Sequence, residues 1–144
     1  MVKTEKKGGT ANNAKIKKVN NTIVKTFTKR AYNNFLTELT VYLLANSKKV
    51  PFIPKLQAFS FKKRTLTIEY VGVSLKEKYR GKPKELKKYN KRIKKLYTKM
   101  FKILKVHHND IRYKNVCVQN GKLYLIDFEY TGRDYKDKNQ DKIL

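Results

Sequence analysis

The sequence predicts an α+β chain of two lobes, an N-terminal antiparallel sheet with one helix followed by a reduced C-terminal lobe with one long helix and a hairpin. Three observations predict it. Before residue 72, short β-branched and apolar runs alternate with turn residues, the pattern of strands. Segments 30–47 and 83 to about 106 carry apolar residues at the i, i+3, i+4, i+7 spacing of a helix face. Asn120-Gly121 sits between two apolar runs and offers the two φ > 0 positions a tight hairpin needs. The expected boundaries are 1–72 for the first lobe, 73–130 for the second and 131–144 for a polar tail.

In the first lobe, residues 1–28 read as an antiparallel meander. Gly8-Gly9 opens a polar turn that runs to Asn13, Ala14–Val19 is a strand, Asn20-Asn21 turns the chain, and Thr22–Phe27 is β-branched. The helix over 30–47 buries Tyr32, Phe35, Leu36, Leu39, Tyr42 and Leu43, with Glu38 beside that face as its only acidic residue. Pro51 and Pro54 make 50–54 a buried crossing loop. Segments 57–61 and 65–70 form a hairpin around Lys62-Lys63-Arg64, and Glu69-Tyr70-Val71-Gly72 closes the lobe.

In the second lobe, Ser74-Leu75-Lys76-Glu77 is a capping box that starts a short helix. Pro83 suits the first turn of the next helix. Its buried stripe is Leu86, Tyr89, Ile93, Leu96, Tyr97, Met100, Phe101 and Leu104, and the rest of its surface is lysine. Then comes the stretch with the most chemistry, 107–130. Asp110 is followed five positions later by Asn115, Val116–Gln119 is a strand, and the return strand delivers Asp127. The hairpin brings Asn115 and Asp127 to one end of two paired strands, where a carboxylate and an amide oxygen can share a hard cation such as Mg²⁺. Asp110, on the loop before, is placed to orient a hydroxyl. Cys117 lies between two valines and is expected to be buried.

The chain has 144 residues, 40% of them apolar, which suits one domain with a real core. Its 36 basic and 11 acidic residues give a net charge of +25. That charge fits contact with nucleic acid, anionic surfaces or acidic proteins, and equally a solubilising surface. The few arginines argue against bidentate base readout. A single Cys excludes an intrachain disulfide and fits a reducing, intracellular compartment, cytoplasmic or nuclear. No apolar run approaches the ~20 residues of a membrane span.

His108-Asn109-Asp110-Ile111-Arg112-Tyr113-Lys114-Asn115 resembles the catalytic loop of protein kinases, and Asp127-Phe128-Glu129 resembles their metal-binding D-F-G. Asn109 stands where those kinases have Arg, and Glu129 where they have Gly. The same pair of motifs is also similar to the choline and ethanolamine kinases. The resemblance covers roughly residues 5–130 and implies a minimal two-lobed protein-kinase-like fold. It implies ATP as cofactor with Mg²⁺ on Asn115 and Asp127, and Asp110 as the group that orients or deprotonates the acceptor. Arg112 or Lys114 would neutralise the γ-phosphate. Lys25, held by Glu38, would engage the α- and β-phosphates. Gly8 and Gly9 take the place of the glycine-rich loop, a loose match.

Glu69 and Val71 resemble the kinase hinge that receives adenine, with Ile68 as gatekeeper, and Cys117 is counted with the nucleotide-site residues. The implied function is transfer to a protein serine or threonine, and the compact chain suggests a viral, virion-associated enzyme. A small-molecule kinase and a basic nucleic-acid-binding pseudokinase remain open. The usual substrate platform has no counterpart in residues 131–144, so a partner supplying it is also open. Along the basic helix face, a polyanion or a layer of counterions would offset the like charges.

Overall fold

The computed structural model describes residues 2–5, by their backbone, and 13–135. Strands β1 (Val2–Glu5), β2 (Ala14–Val19), β3 (Thr22–Phe27), β4 (Leu56–Ser60) and β5 (Thr65–Glu69) form one antiparallel sheet in the order β1-β2-β3-β5-β4. Asn20 turns β2 into β3 at φ 54°, a left-handed value that the short Asn side chain tolerates. Strand alternation puts Ile23, Lys25 and Phe27 on one face of β3. Lys25 and Phe27 are buried there, with Lys25 opposite Ile16 on β2 and Leu66 on β5. A lysine thus stands among core residues, and the next layer must answer its charge.

Helix α1 (Tyr32–Ser47), entered through a 3₁₀ turn at Lys29–Ala31, is that layer. Phe35 meets Phe27 edge to face at 5.7 Å. The buried stripe differs from the one the spacing predicts. Tyr32 and Leu43 are exposed, at 39% and 44%, whereas Glu38 is buried at 1%. The helix turns Glu38 inward because Lys25 lies opposite (2.7 Å). At the far end, the Asn46 amide accepts from the Leu56 N–H and donates to the Leu56 carbonyl, fixing where β4 starts. In the crossing loop, Val50, Phe52, Ile53 and Pro54 are buried, and the Phe52 carbonyl accepts from the Leu125 amide at 2.8 Å. The loop therefore stitches the first layer to the second.

The second layer is a three-stranded antiparallel sheet, β6 (Val73–Ser74), β7 (Val116–Gln119) and β8 (Lys122–Leu125). Its tight turn has Asn120 at φ 52° and Gly121 at φ 77°, both left-handed, as an Asn-Gly hairpin requires. Helix α2 (Leu75–Lys78) starts where the Ser74 hydroxyl accepts from the Glu77 amide at 3.1 Å. The single helix expected from 83 to about 106 is two, α3 (Pro83–Lys87) and α4 (Asn90–Leu104). The reason is tertiary. Tyr89 turns aside so that its hydroxyl meets that of Tyr79 at 2.8 Å, and its amide reaches back to Leu86, one residue short of an α-helical bond. The helix ends at Leu104, and Lys105 reverses the chain at φ 62°. The stripe of α4 holds at Ile93, Met100 and Leu104, while Phe101 is 39% exposed and stacks on His107. Among the described residues no helix is long and apolar enough to cross a membrane.

Gly72 joins the two layers at φ 95°, and a Cβ built there would lie 2.1 Å from the Val118 carbonyl oxygen. Gly81 has a comparable φ of 74° but open space around it. Gly72→Ala should therefore destabilise by ~2–3 kcal/mol, against ~1 kcal/mol for Gly81→Ala, which carries backbone strain alone. Urea unfolding of the two variants checks this, and equal losses would remove the close approach as a constraint.

Candidate active site

A cleft of about 230 Å³ opens between the two layers. Ile16, Ile23 and Ile68 roof it, Tyr70 and Val71 edge it, and Cys117 and Ile126 form its floor. At its inner end lie Lys25, Glu38 and Asp127. The Lys25 ammonium donates to Glu38 Oε1 at 2.7 Å, Asp127 Oδ1 at 3.2 Å and Glu129 Oε2 at 3.4 Å. All four side chains are buried. Burial alone would lower the Lys25 ammonium, but Asp127, Glu38 and Glu129 outweigh it and hold the group well above the ordinary lysine value. Burial raises the Glu38 carboxyl, with Lys25 opposing the shift.

These groups come from distant parts of the chain, so local structure must aim each one. Glu38 Oε2 accepts from the Phe128 amide at 3.0 Å, which ties α1 to the segment after β8. Asp127 takes φ 65°, a left-handed value that turns the chain between Ile126 and Phe128. Phe128 packs edge-on against Tyr42 of α1 at 5.2 Å and against His108 at 5.1 Å. His108 Nδ1 accepts from the Asp110 amide at 3.1 Å, so the ring proton sits on Nε2 and is donated to the Ile126 carbonyl at 2.8 Å. One neutral imidazole thereby fixes both the Asp110 loop and the strand that delivers Asp127.

Asn115 closes the loop. Its amide donates to the Asp110 carbonyl at 2.8 Å and to Asp110 Oδ2 at 3.0 Å, and its backbone carbonyl accepts from Ile126 at 3.0 Å. Its Oδ1 is buried and has no hydrogen-bond partner among the described residues. Arg112 forks onto Asp110 Oδ1, through Nε at 2.9 Å and a terminal nitrogen at 2.7 Å. Lys114 is half-buried, and burial with the nearby Arg112 lowers its ammonium while Asp110 and Asp127 oppose that. Asn109, at φ 67°, donates to the carbonyls of Tyr130 and Asp134, and His107 and Gly132 pair their backbones. Residues 130–134 are thus docked on the loop that carries Asp110.

Lys25, Glu38 and Asp127 line one end of the cleft, and Asp110, Arg112 and Asn115 bond to one another on the loop that Asn115 ties to Ile126, next to Asp127. Glu69, Val71 and Cys117 line the other walls of the cleft. In the edge segment, the amides of Glu69 and Tyr70 are bonded to Lys55 and Asn21, while Val71 has no backbone acceptor among the described residues. Gly8 and Gly9 lie outside the described residues.

Two members of the site were not singled out from the sequence. Glu129 contacts Lys25, and its Oε1 accepts from the Asn13 amide at 2.7 Å, next to the β2 strand. Oxygens of Glu38, Asp127 and Glu129 lie within 4.8 Å of one another.

No protein-family model and no curated protein matches this chain. Among solved structures, it is similar to the kinase PK-1 of Cydia pomonella granulovirus, with a TM-score of 0.62 at 20% identity. The likeness covers 91% of this chain and 52% of that one, so the chain spans about half the length of that kinase. The fold is protein-kinase-like, mixed α+β, with a reduced second lobe.

Three carboxylates face one ammonium, so the site carries excess negative charge. Burial raises the Glu129 carboxyl, Lys25 opposes this and Asp127 adds to it. A carboxyl raised in the folded state binds more protons folded than unfolded. Its share of stability is present at low pH and lost as pH rises through the raised value. Glu129→Gln, which keeps an acceptor for Asn13, should therefore melt above the wild type at pH 8. The difference should vanish near pH ~4, where glutamates protonate. Thermal unfolding without divalent ions checks both arms, and a lower Tm for the variant at pH 8 would contradict the charge imbalance.

Proposed function

We propose that this chain is an ATP- and Mg²⁺-dependent phosphotransferase whose acceptor is a serine or threonine hydroxyl of a protein. The observation that carries the reading is the buried, partnerless Oδ1 of Asn115 on the loop that also holds Asp110. A buried amide oxygen left without a donor is costly, and a hard cation shared with Asp127 would satisfy it. The likeness to a protein whose name is a kinase supports the same reading.

Phosphoryl transfer asks for positioning and charge neutralisation more than for covalent chemistry. Asn115 and Asp127 would hold Mg²⁺, with Glu129 close enough to join them. When bound, the ion supplies positive charge to the phosphate oxygens and fixes their orientation. Lys25, steadied by Glu38, holds the α- and β-phosphates. The Val71 amide offers a donor to the adenine edge, and Ile16, Ile23 and Ile68 exclude water from above it. Asp110 orients the acceptor hydroxyl and receives its proton as the hydroxyl oxygen bonds to the γ-phosphorus and the bond to ADP breaks. Arg112 aims Asp110, and Arg112 with Lys114 places positive charge beside the group in transfer.

In a thermal-shift titration, millimolar Mg²⁺-ATP should raise the wild-type Tm, because a ligand at ~100 times its Kd stabilises by ~2.7 kcal/mol. Asp110→Asn should show the same shift yet lose ~10²–10⁴-fold of transfer, the usual contribution of a positioned base. Labelled ATP offered with a basic protein, an acidic protein, choline or water identifies the acceptor. An unchanged wild-type Tm, or an Asp110→Asn variant with most of its activity, would contradict the assignment.

A further inference from the structure

On α4, Lys91, Lys94, Lys95, Lys99 and Lys102 stand on one exposed face with Thr98 in their midst. The offsets 0, 3, 4, 8 and 11 keep them in a single row, and at 1.5 Å per residue the row is ~17 Å long. No acidic residue occurs anywhere in the helix. Among the described residues none of these lysines forms an ion pair. Like charges one turn apart cost a few tenths of a kcal/mol each, and here buried Ile93, Met100 and Leu104 hold the helix against that cost.

The row continues into a groove between α4 and the β7–β8 turn. Lys95 and Lys99 belong to both, and Arg92 and Lys122 add two more cations beside Tyr124. Arg92 is already fixed there, since its guanidinium donates to the Gly121 carbonyl at 2.6 Å and lies 5.4 Å from the Tyr89 ring. A fixed cation loses less freedom on meeting an anion than a free one does.

We propose that this face of α4, with its groove, docks the sugar-phosphate backbone of a nucleic acid strand without regard to base sequence. Charge density selects the partner. Five lysines over ~17 Å make four intervals of ~4 Å, close to the ~3.4 Å per phosphate along one strand of a duplex. An extended acidic peptide shows one side chain per two residues on a face, one charge per ~6.6 Å, and matches the row less well. Lysines serve as point charges for phosphate, and only one arginine is present for bidentate recognition of a base. The surface shares no lining residue with the cleft between the layers, so docking is independent of phosphoryl transfer.

The test is fluorescence anisotropy of the full chain with labelled 20-base-pair duplexes of two unrelated sequences, from low to high salt. Both duplexes should bind equally, and log K should fall linearly with log salt. Replacing Lys94, Lys95 and Lys99 together by Gln should reduce the magnitude of that slope by ~3, at ~0.9 per lost contact, without lowering Tm. A control with Lys48, Lys62 and Lys63 changed to Gln removes the same charge from exposed sites off this face and should leave the slope unchanged. The Asp127→Asn variant should bind like the wild type. Equal losses in both triple variants would reduce the effect to net charge and overturn the proposal. So would binding insensitive to salt, or polyglutamate competing as well as the nucleic acid.

Discussion

The structure depends on one buried ammonium. Lys25 occupies an inward position of β3, where alternation would otherwise put an aliphatic side chain. A charge so placed is tolerated only when paired. Its partners come from α1 (Glu38) and from the segment after β8 (Asp127 and Glu129). The same contact therefore orients the helix, closes the first layer on the second and gathers the oxygens of the site. An apolar residue at position 25 could pack the sheet, but it would leave three carboxylates buried without a counter-charge.

The remaining geometry serves that gathering. Left-handed backbone at Asn109 and Asp127 bends two loops toward each other. His108 holds them by one proton, accepting from Asp110 and donating to Ile126. Phe128 sits between His108 and Tyr42, so the aromatic contacts run from the Asp110 loop up to α1. Gly72 lets the connecting segment approach β7 more closely than a side chain would allow. These hydrogen bonds and ring contacts hold the oxygens of the site in fixed relation to one another.

What was legible in the sequence followed from local rules. The end of an apolar strand marked Lys25, the lone acid of the helix that follows it marked Glu38, and the Asn-Gly hairpin put Asn115 and Asp127 at one end of two paired strands. What was not legible required knowledge of distant neighbours. Glu129 gains its place from Asn13, 116 residues earlier in the chain. The break between α3 and α4 arises because Tyr89 meets Tyr79, and nothing in the local spacing announces it. Leu43 looks like a core residue by period, yet Glu38 claims the inward side of α1 because the charge it must meet lies on β3.

A double-mutant cycle on Lys25→Met and Glu38→Gln, read by urea unfolding, measures the central interaction directly. Removing Glu38 leaves Lys25 with Asp127 and Glu129, removing Lys25 leaves three carboxylates without it, and removing both leaves one fewer of them. The double variant should be less destabilised than the sum of the singles by ~1–3 kcal/mol, the range for groups in one buried network. Additivity within ~0.5 kcal/mol would show that Lys25 and Glu38 are independent and that the layers are held together by packing alone.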